Sequence, residues 1–212
     1  MKHVAGKAVL GSLVAACCVA ALPAAAQGVR MNQSAQMSTS LYLGGNVGMS
    51  HFRNSCEGVP VSCDDKDNAW KVFAGYRFHR SFALEAGYAN LGKVTASGPF
   101  GGAAVSAEGK VRGFELVGVL FLPVHPQFDL YGKLGAIRST VDVSITGAVP
   151  GFTATQSVKD RSTDLTYGFG AQYNFTPNLG GRLEWQRYQG VGGGNTGKEN
   201  IDVFSVGALY SF

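Results

Sequence analysis

From Leu41 onward, apolar side chains recur at every second position in eight stretches of about ten residues, separated by polar and Gly-rich connectors. A period of two belongs to β-strands with unlike faces, and no stretch competes with a helical period. The predicted strands are Leu41 to Phe52, Ala69 to Phe78, Phe82 to Val94, Lys110 to Leu122, Phe128 to Val143, Thr163 to Phe175, Leu179 to Tyr188 and Ile201 to Phe212. His79 to Ser81, Pro123 to Gln127 and Thr176 to Asn178 are short connectors, whereas Arg53 to Asn68, Thr95 to Gly109, Ser144 to Ser162 and Gln189 to Asn200 are long. Short turns at one end and long loops at the other predict an antiparallel up-and-down meander.

The polarity of the two faces then decides the kind of sheet. One alternate set runs through Trp70, Val72, Tyr76, Leu84, Tyr88, Phe114, Leu116, Leu130, Leu134, Leu165, Phe169, Leu183, Trp185, Phe204 and Val206. The opposite set carries Lys71, Arg77, Glu85, Glu115, Asp129, Lys133, Arg182, Glu184 and Gln186, with Gly75, Gly87, Gly135, Gly168 and Gly170 between them. A soluble barrel would put such charges outside and its grease inside. A wall with lipid outside and a polar lumen needs the reverse, and it must close so that no backbone donor meets hydrocarbon unpaired. The expected fold is all-β: an eight-stranded antiparallel up-and-down transmembrane β-barrel over residues 41–212, with lumen glycines leaving space inside a narrow cylinder.

The remaining segments suit export. Lys2 and Lys7 precede the apolar run Ala8 to Leu22, and Ala24-Ala25-Ala26 before Gln27 offers a small-residue cleavage site, so residues 1–26 read as a signal peptide and 27–40 as a polar spacer. Val14-Ala15-Ala16-Cys17 also fits lipoprotein processing at Cys17. Outside the leader, 16 basic residues face 14 acidic ones, too even a balance for a nucleic-acid binder. Apolar residues at 45% against charged residues at 15% exclude wholesale disorder. Cys56 and Cys63, the even pair left after cleavage, are expected to form a disulfide, which at this loop length contributes roughly 2.5 kcal/mol.

Ser205, Gly207, Tyr210 and Phe212 make a polar, Gly, aromatic, aromatic series in the last strand, which looks like the signal read by the outer-membrane barrel assembly machinery. FDLYGKLG from Phe128, FALEAGY from Phe82 and TPNLGGRLEWQ from Thr176 resemble the fifth, third and seventh strands of the OmpA-type transmembrane domain. The likeness covers about residues 41 to 212. It implies a Gram-negative outer-membrane barrel with periplasmic turns and four surface loops, an OmpA-like transmembrane domain without the family's periplasmic peptidoglycan-binding domain. Lipid and lipopolysaccharide around the wall, and the assembly machinery during biogenesis, are then the implied partners.

A charge in a narrow lumen must be paired or solvated. Lys71, Glu85, Glu115, Lys133, Arg182 and Glu184 are therefore expected to form a lumen polar network, with Glu85 and Arg182 as a cross-lumen pair. By resemblance, these two match the acid and base of the family's proposed gate. The gate's alternative partners fall at Val119 and Gln172, which are uncharged here. A structural polar core is the expectation, and an ion path the alternative.

Catalysis has thin support. His79-Arg80-Ser81 falls in a predicted periplasmic turn, and Ser50 and His51, as neighbours on a strand, point to opposite faces. Asp64, Asp65 and Asp67 form an acidic stretch that Lys66 interrupts, unlike a calcium loop. No enzyme, cofactor or metal site is expected. The Gly-rich stretches Gly98 to Gly102 and Gly190 to Gly194 read as mobile surface loops. The expected role is structural or surface-exposed in the envelope; the alternatives are a small pore, an adhesin-like protein whose long loops, Thr95 to Gly109 and Ser144 to Ser162, bind a ligand that the sequence does not identify, and a lipid A-modifying enzyme.

Overall fold

The computed structural model describes residues 40–53, 62–100, 103–149, 152–193 and 197–212. Its strands are β1 (Ser40–Phe52), β2 (Ser62–Asp64), β3 (Lys66–His79), β4 (Phe82–Phe100), β5 (Ala103–His125), β6 (Phe128–Val149), β7 (Phe152–Asn174), β8 (Leu179–Val191) and β9 (Glu199–Ser211). Every strand pairing is antiparallel. The ring runs β1-β3-β4-β5-β6-β7-β8-β9 and closes where β9 meets β1, with Val47 opposite Val206. Eight strands thus make the wall, and β2 adds three residues to the far end of β4, Cys63 facing Ala96. Closure leaves no open edge along the wall, as a sheet in hydrocarbon requires.

The short turns lie together at one end. Phe121 donates its backbone N–H to Ser81 O, and Asn174 to Gln127 O, so each tight turn is stitched to the neighbouring strand. At the other end the ladders run well past the 9–11 residues a tilted strand needs to cross a bilayer. β4 and β5 stay paired to Phe100 opposite Ala103, and β6 and β7 to Val149 opposite Phe152.

This corrects the loop assignments for Thr95 to Gly109 and Ser144 to Ser162: apart from residues outside the description, they are two-stranded extensions, and Gly98 pairs with Val105. Beyond the membrane both faces meet water, so Thr, Ser, Ala and Val serve equally on either side and the period of two fades while the backbone ladder continues. Gly190 (φ +71°) and Gly192 (φ +112°) do turn the chain, at the end of β8, in a conformation that side chains resist. Residues 1–39, hence the leader, Cys17 and nearly all of the spacer, lie outside the described residues; so does Cys56, the expected partner of Cys63.

Residues of the apolar set point away from the ring axis. Leu116, Leu134, Leu183, Phe169, Phe204 and Val206 are all exposed, whereas Lys71, Glu85, Glu115, Lys133, Arg182 and Glu184 are buried. This is the opposite of a water-soluble protein, where ionised groups are rarely buried and large apolar belts are rarely exposed. Aromatic pairs such as Tyr88–Phe114 and Trp185–Phe169 punctuate the belt.

Candidate functional site

Each lumen residue is placed by strand parity. Lys71 on β3, Glu85 on β4, Glu115 on β5, Lys133 on β6, and Arg182 and Glu184 on β8 share the inward face, and they converge in one network of three cations and three carboxylates. Lys71 Nζ lies 2.5 Å from Glu184 Oε1 and 3.2 Å from Glu115 Oε1. Lys133 Nζ lies 2.7 Å from Glu85 Oε2 and 2.6 Å from Glu184 Oε2. Arg182 Nη1 lies 2.6 Å from Glu85 Oε1. Glu85 and Glu184 thus each bridge two cations, and the formal charges of the six sum to zero.

Neutral side chains complete the hydrogen bonding. Tyr42 donates to Glu85 at 2.7 Å, Tyr131 to Glu184 at 2.9 Å and Tyr188 to Glu115 at 2.9 Å. Gln186 accepts from Lys71 at 2.6 Å and donates to Glu115 and Thr166. Gly75 and Gly170 make two of these contacts possible. A Cβ on Gly75 would fall 2.1 Å from the Tyr42 ring, and one on Gly170 would fall 2.5 Å from the Tyr131 hydroxyl.

The network is a layer between two apolar layers. Toward the short turns lie Tyr42, Phe73, Ala83, Val117, Val119, Phe121, Tyr131 and Leu209. Toward the long hairpins lie Phe52, Leu91, Val111, Ile137, Val141, Ile201 and Val203, among others. The lower layer is also a cation cage: the Arg182 guanidinium sits 5.0 Å from the centroids of both Phe73 and Tyr131, and 5.3 Å from that of Tyr42. Beneath it, Arg77 stacks on Phe121 at 3.8 Å and approaches Asp129 at 3.6 Å. The void beside Lys71, Glu184, Gln186 and Tyr188 holds only about 10 Å³, the lower bound for one water.

The six residues expected from the sequence therefore meet in one place, but they are not the whole layer. Tyr42, Tyr131, Gln186 and Tyr188 also belong to the network, and Phe73 and Phe121 to the cage, and the sequence reading assigns none of them there. Inward parity with Lys71, Glu115 and Lys133 was the available signal. Of the gate's alternative partners, Gln172 accepts a hydrogen bond from Arg182 Nε at 3.0 Å, and Val119 is buried in the lower apolar layer. Lys133 instead supplies the second cation on Glu85.

Other candidate groups are engaged locally. Ser50 donates to Asp67 O at 3.1 Å, while His51 Nε2 contacts Asp65 Oδ2 at 3.0 Å. His79 Nδ1 accepts from the Ser81 backbone N–H at 3.2 Å. Asp64 and Asp67 accept backbone N–H groups of Lys66 and Lys93, and no cluster of three metal-type ligands occurs among the described residues. On β9, Ser205 accepts from Asn46 in the lumen, and Tyr210 makes an edge-to-face pair with Phe212, just past the strand's end, with both rings exposed.

Comparison with known proteins agrees with this architecture. The chain is 28% identical over 186 residues to Outer membrane protein A of Shigella flexneri, covering 85% of this chain and 51% of that protein. It is 31% identical over 145 residues to Outer membrane protein A of Salmonella typhi, covering 66% of this chain and 39% of that one. The chain thus spans about half the length, or less, of the curated relatives it matches. Among solved structures, Ail of Yersinia pestis superimposes with a TM-score of 0.55 at 18% identity, over 83% of this chain and all of Ail. Neisserial surface protein A follows with 0.52 at 16% identity, over 81% of this chain and 97% of that one. The profile of the OmpA-like transmembrane domain matches residues 36–212. With its closed ring, outward apolar belt and ion-filled axis, the chain belongs to the OmpA-like transmembrane domain family and resides in the outer membrane.

Proposed function

We propose that the protein is a non-enzymatic, envelope-structural component of the outer membrane whose lumen does not conduct ions. The observation that carries this reading is the stratified lumen: a charge-neutral layer of paired ions held between two apolar layers. An ion crossing it would have to displace buried partners and cross apolar layers in which no ion pair replaces its water. A surface role is compatible with the same structure, since the β4–β5 and β6–β7 hairpins extend far beyond the belt.

Planar-bilayer recording tests the closed lumen. Wild-type protein inserted from detergent is expected to give no discrete current steps. The double variant Lys133→Ala/Glu184→Ala, which empties the centre of the ionic layer without changing its net charge, is expected to stay silent as well, because the apolar layers on either side remain. Current steps from the wild type would establish a small pore instead.

A further inference from the structure

Above the apolar belt, β4 to β7 continue as one sheet. β4 pairs with β5 as far as Phe100 opposite Ala103, β5 with β6 as far as Ala104 opposite Ala148, and β6 with β7 as far as Val149 opposite Phe152. The two edges of this sheet differ. The β4 edge is covered by β2, which sets Ser62 opposite Ser97, Cys63 opposite Ala96 and Asp64 opposite Thr95. The β7 edge is bare. β8 joins β7 only from Leu165, opposite Gln189, so among the described residues Phe152 to Asp164 have no strand partner on the side away from β6.

Edge strands usually carry a charge, a proline or a bulge that stops another chain from adding to them. From Phe152 to Val158 the β7 edge has none of these: the stretch FTATQSV contains no charged residue and no proline, and its ladder with β6 runs without a break in register. Thr153, Thr155 and Val158 are β-branched and suit an extended pairing. Residues Thr153 to Lys159 are all exposed. Protection starts only nearer the bilayer. Lys159 and Arg161 bring charge there, and the turn after β8 covers the edge, with Gly192 donating its N–H to Ser162 Oγ at 3.1 Å and Gly193 packed against Asp160.

We infer that this edge is a homotypic contact site, at which β7 pairs antiparallel with β7 of a second copy of this chain held in a facing membrane. Strand direction selects the facing membrane. Every copy in one membrane presents β7 running from hairpin tip to bilayer, so an antiparallel partner descends from the other side. The long hairpins of such barrels lie at the cell surface, where two outer membranes meet. The sequence selects a second copy. A twofold axis through Gln156 sets Gln156 opposite itself, Thr155 opposite Ser157, Ala154 opposite Val158 and Thr153 opposite Lys159, so that hydroxyl meets hydroxyl, apolar meets apolar and no like charges face each other. Sliding the axis to Asp160 would set Lys159 against Arg161 and run into the turn after β8. An overlap from Thr153 to Lys159 is short against the about 20–30 residues a side of a stable interface, so one pair holds weakly and many pairs between two surfaces hold together. The contact gives the surface role a partner, and it stands whether or not the lumen conducts.

The test is association of phosphatidylcholine vesicles carrying the protein, read as energy transfer between donor- and acceptor-labelled populations. Gln156→Lys and Gln156→Glu each place like charges against each other at the axis, whereas one population of each places opposite charges together. Wild-type vesicles are expected to associate with one another and not with protein-free vesicles, while the protein in detergent stays monomeric. Either variant alone is expected to associate at least about fivefold more slowly, and the lysine population mixed with the glutamate population within about twofold of wild type. Ser106→Lys, at an exposed site on β5 that is paired on both sides, is expected to stay within about twofold of wild type as well. Heat-dependent gel mobility reports folding, and Thr155→Lys/Ser157→Lys against Thr155→Glu/Ser157→Glu repeats the exchange if the first variants do not fold. Wild-type vesicles that remain dispersed, or that associate equally with protein-free vesicles, would overturn the contact. So would a mixed population as inert as its two components, which would favour an unlike strand on this edge.

Discussion

Replacing Glu85 by alanine destabilises the barrel by about 3–5 kcal/mol, the cost of breaking a buried ion pair from one side. Glu85 is 1% exposed and bridges Arg182 and Lys133, so its loss leaves Arg182 without a carboxylate in ion-pair contact. Gln172 and the aromatic cage remain, but neither carries a compensating charge. The double variant Glu85→Gln/Arg182→Leu is expected to regain more than half of that loss, because it removes one cation with one anion and Lys133 keeps Glu184. Urea unfolding in lipid vesicles measures both. A double variant no more stable than Glu85→Ala would mean that the layer acts through packing and not through charge balance.

Leu183→Arg on the lipid face is expected to cost about 2–4 kcal/mol, whereas Gln189→Arg on the same strand and face costs about 0–1 kcal/mol. Leu183 is 63% exposed within the apolar belt, between Ala171 and Val206 on the flanking strands. Gln189 lies six residues farther along β8, past Arg187. In water the two changes would be equivalent, since both sites are exposed. The same vesicle titration compares them, and equal costs at the two positions would remove the membrane from the outward face.

Much of this architecture is legible in a few residues. Leu183, Glu184, Trp185 and Gln186 alternate grease with polar groups, and that single run specifies a strand with lipid on one side and ions on the other. The cross-lumen partners are less legible. That Lys133 of β6 and Arg182 of β8 both reach Glu85 of β4 depends on the tilt and stagger of a closed eight-strand ring, which period alone does not carry. Phe73, Phe121 and Tyr131 escape notice for a different reason. An apolar residue at an inward position breaks the simple rule, yet here each such ring faces a cation and closes the lumen beneath the ionic layer. The hairpin extensions are hidden because, above the bilayer, nothing makes one face of a strand differ from the other.

The chain's two tryptophans both point outward, Trp70 on β3 and Trp185 on β8, which makes the orientation of the wall directly measurable. Fluorescence of the reconstituted Trp70→Phe and Trp185→Phe variants isolates each remaining indole. The structure predicts strong quenching of Trp185 by lipids brominated along the acyl chain and weak quenching by aqueous iodide, while Trp70, level with Asn90 and Arg112 at the edge of the belt, is reached by both. Efficient iodide quenching with none from brominated lipid would contradict an apolar exterior around an ionic axis.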